Sequence, residues 1–301
     1  METSYEKAER ASLGTRIAVW NESGSWLGPL KEYARISSAV RPGLRPSITP
    51  DSRDTTEKRL HFLAWETEAL IEKLKPSFPS ALALVNEIVF HQLKFRVASE
   101  SSRTEGTDAL VDTVLARREG PRAVISLLFV WIAEQVSSAY GHLSDFSRVE
   151  MVNGTPTEVV RIIPRDDDGS VWLIDLNQQG ARIPQGTWAD WCATSLTADS
   201  GFSKLSSVQG LVRCLTELYR HLEKASVLSL DLLSAQLYVL DQIISLQPSE
   251  TVRWAERAMI NTRRGDRSSA LDDLKRFFAF HDRETAPAAI VSLFDDLRGS
   301  K

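Results

Sequence analysis

The chain has 301 residues, 43% of them hydrophobic, a net charge of −4 and a pI near 5.8. That length and apolar content suffice for one large or two small packed cores. The mild acidity excludes the overall basic footprint of a dedicated nucleic-acid binder. Two cysteines and five scattered histidines exclude a disulfide framework and a Cys/His metal cluster.

The first ten residues are charged, with no apolar core of the signal-peptide type. The longest apolar run, Ala123–Ala133 interrupted only by Ser126, is shorter than the roughly 20 residues that span a bilayer. The expectation is a cytoplasmic protein with no membrane segment, cofactor or metal.

Residues 1 to about 55 are weakly patterned and read as an N-terminal arm. Two apolar islands, Ile17–Trp20 and Trp26–Leu30, lie among Gly, Ser and Glu, and the proline-rich Arg41–Asp54 reads as a linker. Trp20 and Trp26 are expected to dock this arm on the main body; a partner-binding motif is the alternative.

From Thr55 the spacing becomes helical, through Leu60, Leu63, Ala64, Leu70, Ile71 and Leu74, and stops at Lys75-Pro76. Ser80 caps a second amphipathic helix that carries Leu84, Ile88 and His91; His91 reads as a surface or cap histidine. Val97–Gly106, rich in Ser, Glu and Arg, reads as a loop. Thr107 or Asp108 is expected to cap a short helix that ends at Arg117-Arg118-Glu119-Gly120-Pro121. A helix apolar on nearly all sides follows, and such a helix belongs in the middle of a domain. Its start near Pro121 places free backbone amides beside Arg117, Arg118 and Arg122.

After Tyr140 the period changes to two. Phe146–Val152, Glu158–Pro164 and Val171–Leu176 read as an antiparallel meander with turns at Asn153-Gly154 and Asp166-Asp167-Asp168-Gly169. The triple aspartate lacks the alternating ligands and closing glutamate of a calcium loop and reads as a solvated tip. Packed on the central helix, the meander makes an α+β domain over residues 56–200.

Residues 201–301 read as wholly helical from Gln209 on. One stripe is Leu211, Leu215, Leu218 and Leu222; the next is Leu233, Leu237, Leu240 and Ile244, stopped by Pro248. Trp254, Ala258 and Asn261 lie on a third helix, Gly265-Asp266 turns the chain, and Leu271, Leu274 and Phe278 line a fourth. The two pairs read as degenerate tetratricopeptide repeats, with Pro287–Leu297 sealing the end.

In this order the segments resemble the SirB-type family, in which a transglutaminase-like, papain-like domain precedes tetratricopeptide helices. The resemblance spans about Arg59 to Leu297. It rests on Val85-Asn86-Glu87-Ile88-Val89-Phe90 with Leu93 and Phe95, on Val114–Gly120 leading into Ser126–Phe129, and on Leu173–Asp175 followed by Gly180. The wider superfamily uses a cysteine at a helix N-terminus, a histidine on a neighbouring strand and an aspartate on the next. The matching positions here are Arg122, Thr157 and Asp175. Arginine is no nucleophile and stays charged, so the resemblance implies a site without catalytic residues, Asp175 pairing with Arg122 or a backbone amide.

Ser126, His142 and Cys192 are the residues from which a displaced site could be built. Ser126 lies in an apolar helix, His142 in a polar loop, and Cys192 in Trp188–Cys192 reads as a small half-buried hydrophobe. The leading expectation is a non-catalytic interaction or scaffold protein that holds a protein or peptide partner on its helical tail. There Arg220, Arg253, Arg257, Arg263 and Arg264 would favour acidic segments or merely form a solvated face. The alternatives are a hydrolase or acyl-transferase with a displaced site, in which Cys192 or Cys214 would be reactive, and anion or nucleic-acid binding through Arg117, Arg118 and Arg122.

Overall fold

The apolar stretch after Gly120-Pro121 folds as a helix from Arg122 to Tyr140, with the other elements arranged around it. A computed structural model describes residues 26–44, 52–99, 108–152, 159–165, 170–191, 204–225 and 229–299. In chain order the elements begin with α1 (Leu27–Leu44), α2 (Ser52–Leu74) and α3 (Ala81–Asn86), which continues as a π-helical turn, Glu87–Gln92. Then come β1 (Arg96–Val97), α4 (Val111–Arg117), β2 (Glu119–Gly120) and the central α5 (Arg122–Tyr140). Strands β3 (Phe146–Val152), β4 (Val159–Pro164), β5 (Trp172–Asp175) and β6 (Ala181–Ile183) follow. Helices α6 (Ser207–Glu223), α7 (Leu230–Leu246), α8 (Val252–Arg263), α9 (Arg267–Phe278) and α10 (Ala288–Gly299) complete the order.

The fold is α+β, mostly helical with a small antiparallel sheet in the order β3-β4-β5-β6. The expected meander is present, with Val149 opposite Ile162 and Arg161 opposite Leu173. Strand β6, too short and too polar to show alternation, adds a fourth member by pairing Asp175 with Ala181. The turn residues Asn153-Gly154 and Asp166–Gly169 lie outside the described residues, as does the island at Ile17–Trp20.

Helix α5 packs on β3, α3, α6 and α2, and its residues Ala123–Ala133 are all buried. It continues through Val136 to Tyr140, so it is longer than the apolar run alone. With the following turn to Leu143 it is long and apolar enough to cross a membrane, yet 72% of that window is buried inside the protein. Burial against other elements on every side explains why its sequence carries no polar face.

Four expectations are corrected. The arm expected over residues 1–55 contains α1, whose Leu30, Tyr33, Ile36 and Val40 are buried. It packs between α7, α6 and α2. Gly28 and Pro29 resemble breakers, but they fall in the first turn, where proline is tolerated. The linker expected over Arg41–Asp54 is likewise occupied at both ends by α1 and α2. Second, the boundary expected at residue 200 is not a break in the core. One apolar cluster runs from Trp26 to Ile260 and includes α6 and α7; a separate small cluster joins α8, α9 and α10 through Ala258, Ala270, Leu274, Phe277 and Phe294. Third, the loop expected from Val97 starts as strand, because Arg96-Val97 pairs in parallel with Glu119-Gly120. Fourth, α4 starts at Val111 after Leu110, with no side-chain cap; Asp108 binds Arg117 instead. Thr107 lies outside the described residues.

Candidate functional site

Two of the three positions named from the resemblance, Arg122 and Asp175, meet at the N-terminus of α5. Gly120 is required there, because a Cβ would lie 2.6 Å from Val114 Cγ2. Arg118 takes the left-handed conformation, φ 57°, and closes α4, so the chain reverses at once into β2 and α5. Pro121 precedes the first helical residue and its carbonyl accepts from the amides of Val124 and Ile125, both at 3.1 Å. Arg122 therefore opens the first turn of α5.

Asp175 ends β5 and comes to the same place. Its Oδ1 lies 3.7 Å from Arg122 Nη1, the side chains being 11% and 6% exposed. At that separation the two form an ion pair, not a hydrogen bond. The carboxylate also caps the following turn, accepting from the Asn177 amide at 2.9 Å and from Gln178 Nε2 at 3.1 Å. Beside it Asn86, at the junction of α3 and its π-helical turn, donates from Nδ2 to the Gly180 carbonyl at 3.1 Å. The structure thus brings together Asn86, Arg122, Asp175 and Gly180. Thr157 lies outside the described residues.

The arginines proposed as an anion site are each occupied by a carboxylate. Arg117 pairs with Asp108 at 2.8 Å and Arg118 with Glu66 at 3.0 Å, while Arg122 faces Asp175. Arg118 also covers the ring of Phe95. Neighbouring Arg96 is bound by Glu119 at 2.6 Å. Neutralised guanidiniums beside α5 leave little net charge to draw an anion there.

Residues from which a displaced active site could be built are dispersed. Ser126 is fully buried and its Oγ has no hydrogen-bond partner among the described residues. His142 is exposed in the turn Gly141–Leu143, and His91 is exposed at the end of the π-helical turn. Cys214 is fully buried in α6; Cys192 lies outside the described residues. Among the described residues no group of three or more His, Cys, Asp or Glu could hold a metal ion.

On the helical tail three of the five arginines are ion-paired. Arg220 binds Glu217, Arg253 binds Glu250 and Glu256, and Arg257 binds Asp241 and Asp273. Arg263 and Arg264 are exposed beside Gly265 and form no ion pair with described residues. Arg257 and Arg276 flank the Trp254 ring at 4.7 and 4.6 Å. Sequence patterning missed Asp273, 3% exposed, which takes two hydrogen bonds from Arg257 and one from Asn261. A cavity of about 660 Å³ lies between α1 and α2 over Trp131, walled by Leu27, Leu30, Leu60 and Ala64.

No family model matches the chain, and no curated protein matches it. Among solved structures the chain is similar to menin, from a crystal structure described as revealing the binding site for Mixed Lineage Leukemia (MLL) protein. The identity is 9%, the TM-score 0.47, and the match covers 90% of this chain and 62% of the menin chain. The chain therefore spans less than two thirds of menin's length, and a likeness of this size supports neither a fold family nor a function.

Proposed function

We propose that the chain is a non-catalytic interaction or scaffold module, built on a degenerate transglutaminase-like domain with a tetratricopeptide-like helical tail. The observation that carries this reading is the ion pair of Arg122 with Asp175 at the start of α5. In a thiol enzyme that position holds a thiolate favoured by free helix amides. Here it holds a fixed cation whose partner is the aspartate that would otherwise orient a base. A protein or peptide partner is assigned to the tail. Its support is the half-buried Trp254 between two guanidiniums, the exposed Phe280, and the exposed Arg263 and Arg264. Aromatic and arginine side chains of this kind anchor protein interfaces.

The test combines turnover with binding. The purified chain is assayed on amide and ester substrates, and stoichiometric partners are compared between wild type and Arg263→Glu/Arg264→Glu. The expected result is no turnover and a partner released by the double charge reversal. Robust turnover that is abolished by replacing a cysteine or histidine, with no stoichiometric partner, overturns the proposal.

A further inference from the structure

The positive charge that is missing near α5's start has accumulated at its other end. A cleft of about 640 Å³ lies between the C-terminus of α5, strand β3 and the N-terminus of α6. Arg148, Arg165 and Lys204 line it, together with serine hydroxyls that include Ser138 and Ser147.

Among the described residues, the cations around this cleft outnumber the carboxylates. Glu150, 1% exposed on β3, receives Arg161 Nη2 at 2.6 Å, Arg148 Nε at 2.9 Å and Lys204 Nζ at 3.0 Å. Glu150 is thus shared by Arg148, Arg161 and Lys204. Burial by itself would raise the Glu150 pKa, but Arg161 and Lys204 outweigh it and hold the group below the usual range, so it is ionised near neutral pH. Among the described residues Arg165 has no carboxylate partner: it donates to the carbonyls of Ser144 at 2.8 Å and Gly141 at 3.1 Å. There it answers the partial negative charge of the α5 C-terminus, worth about half an elementary charge. The other acid lining the cleft is Glu134, which accepts the Trp26 amide at 3.0 Å.

The remaining walls show what kind of anion fits. Helix α6 is 17 residues long and starts at Ser207, with a Ser206–Gln209 capping box. The capping box leaves the first-turn amides of Ser207 and Val208 without intrahelical acceptors, as at any helix start. Arg148, Arg165, Lys204 and the Ser207 start of α6 thus lie on one cleft. Trp26, Phe146 and Leu205 supply an apolar edge to the same cleft. Its volume falls in the range of about 300–1,000 Å³ typical of small-molecule sites.

We infer that this cleft binds a phosphate monoester, its phosphate held by Arg148, Arg165 and Lys204 and its organic group against Trp26 and Leu205. This goes beyond the interaction reading and involves a different surface, so either can fail without the other. The oxygens of a phosphate dianion accept from these three charged donors in short, strong hydrogen bonds.

The test is calorimetric titration of the full chain with phenyl phosphate, inorganic phosphate, phenol and a short phosphoserine peptide. Ser147→Glu adds a carboxylate at the exposed rim, and Arg165→Gln removes a cation bound to the Ser144 and Gly141 carbonyls; thermal melts confirm that each variant folds. The Arg148→Gln/Lys204→Gln pair serves if either variant fails to fold. Saturable binding of phenyl phosphate is expected, tighter than inorganic phosphate, weakened by salt and at least tenfold weaker in folded cleft variants, with phenol inert. Tighter binding of the phosphoserine peptide than of phenyl phosphate would make the source a modified protein and overturn the small-molecule assignment. No saturable binding at low salt, or unchanged affinity in the folded cleft variants, overturns the site itself.

Discussion

Arg122 Nη1 and Asp175 Oδ1 face each other across 3.7 Å, joining the first turn of the central helix to the end of β5 with both side chains nearly out of water. Removing one member of a buried pair strands the other charge. Asp175→Asn keeps an oxygen for the Asn177 amide and so isolates the charge. Arg122→Met keeps much of the side-chain length. Each is expected to lower stability by about 2–4 kcal/mol, and the double variant by less than their sum, with a coupling of about 1 kcal/mol or more. Urea unfolding measures all four corners of the cycle. Strict additivity would show that the two groups do not act as a pair.

Asn86 and Gly180 are matched in the same way. Gly180 has φ 81°, and a Cβ there would lie 2.1 Å from Asn86 Oδ1. Gly180→Ala therefore meets two penalties: the left-handed backbone, about 1–2 kcal/mol, and displacement of Asn86 with loss of its bond to the Gly180 carbonyl. In an Asn86→Ala background only the first remains. Denaturant titration is expected to show a smaller penalty for Gly180→Ala in that background; an equal penalty contradicts the contact.

Glu150 makes stability acid-sensitive. Its folded pKa is lowered, with Arg161 and Lys204 overcoming the upward push of burial. A depressed carboxylate contributes stability that is complete above the ordinary value of about 4.5 and is lost as pH falls through the lower folded value. Glu150→Gln is expected to flatten that part of the acid limb and to lower stability at pH 7. Thermal melts between pH 2 and pH 7 test it; an unaltered acid limb in the variant assigns the sensitivity to other groups.

Asp273 ties α8 to α9. It accepts from Arg257 Nη2 at 2.6 Å, from Arg257 Nε at 2.9 Å and from Asn261 Nδ2 at 3.2 Å. Asp273→Ala is expected to destabilise by about 3 kcal/mol, since it removes the buried partner of the Arg257 guanidinium and leaves it the half-exposed Asp241. Asp241→Ala, at the half-exposed second partner, should lose less than about 1 kcal/mol. Because α8–α10 have their own small apolar cluster, faster hydrogen exchange should be concentrated in residues 252–299. Acceleration spread evenly over the chain would show that this cluster does not unfold separately.

Much of the element order was legible because it is written locally. The Leu211, Leu215, Leu218, Leu222 stripe fixes a buried face within one helix, and the apolar residues of Phe146–Val152 mark a strand, although Val149–Val152 are buried on both faces. Helix α1 was not legible, because Gly28, Pro29, Pro42 and Gly43 mimic a linker while the burial that stabilises it comes from α6 and α7, far along the chain. The π-helical turn after Asn86 and strand β6 were missed for a related reason: six and three residues hold too little periodicity to mark them. At the site, the sequence offered Arg117, Arg118 and Arg122 as one basic group. It could not show that Glu66 closes on Arg118 from 52 residues away.

By itself the sequence determined the buried helix, its Gly120-Pro121 start, the meander, and the presence of an arginine, Arg122, at that helix start. These follow from side-chain period, backbone limits and residue identity, which are properties of neighbours in the chain. Tertiary structure alone decided which charges cancel and which do not: Arg122 against Asp175, Arg118 against Glu66, and three cations upon Glu150. Coulomb energy depends on distance through space and on exclusion of water, and neither is set until distant segments pack.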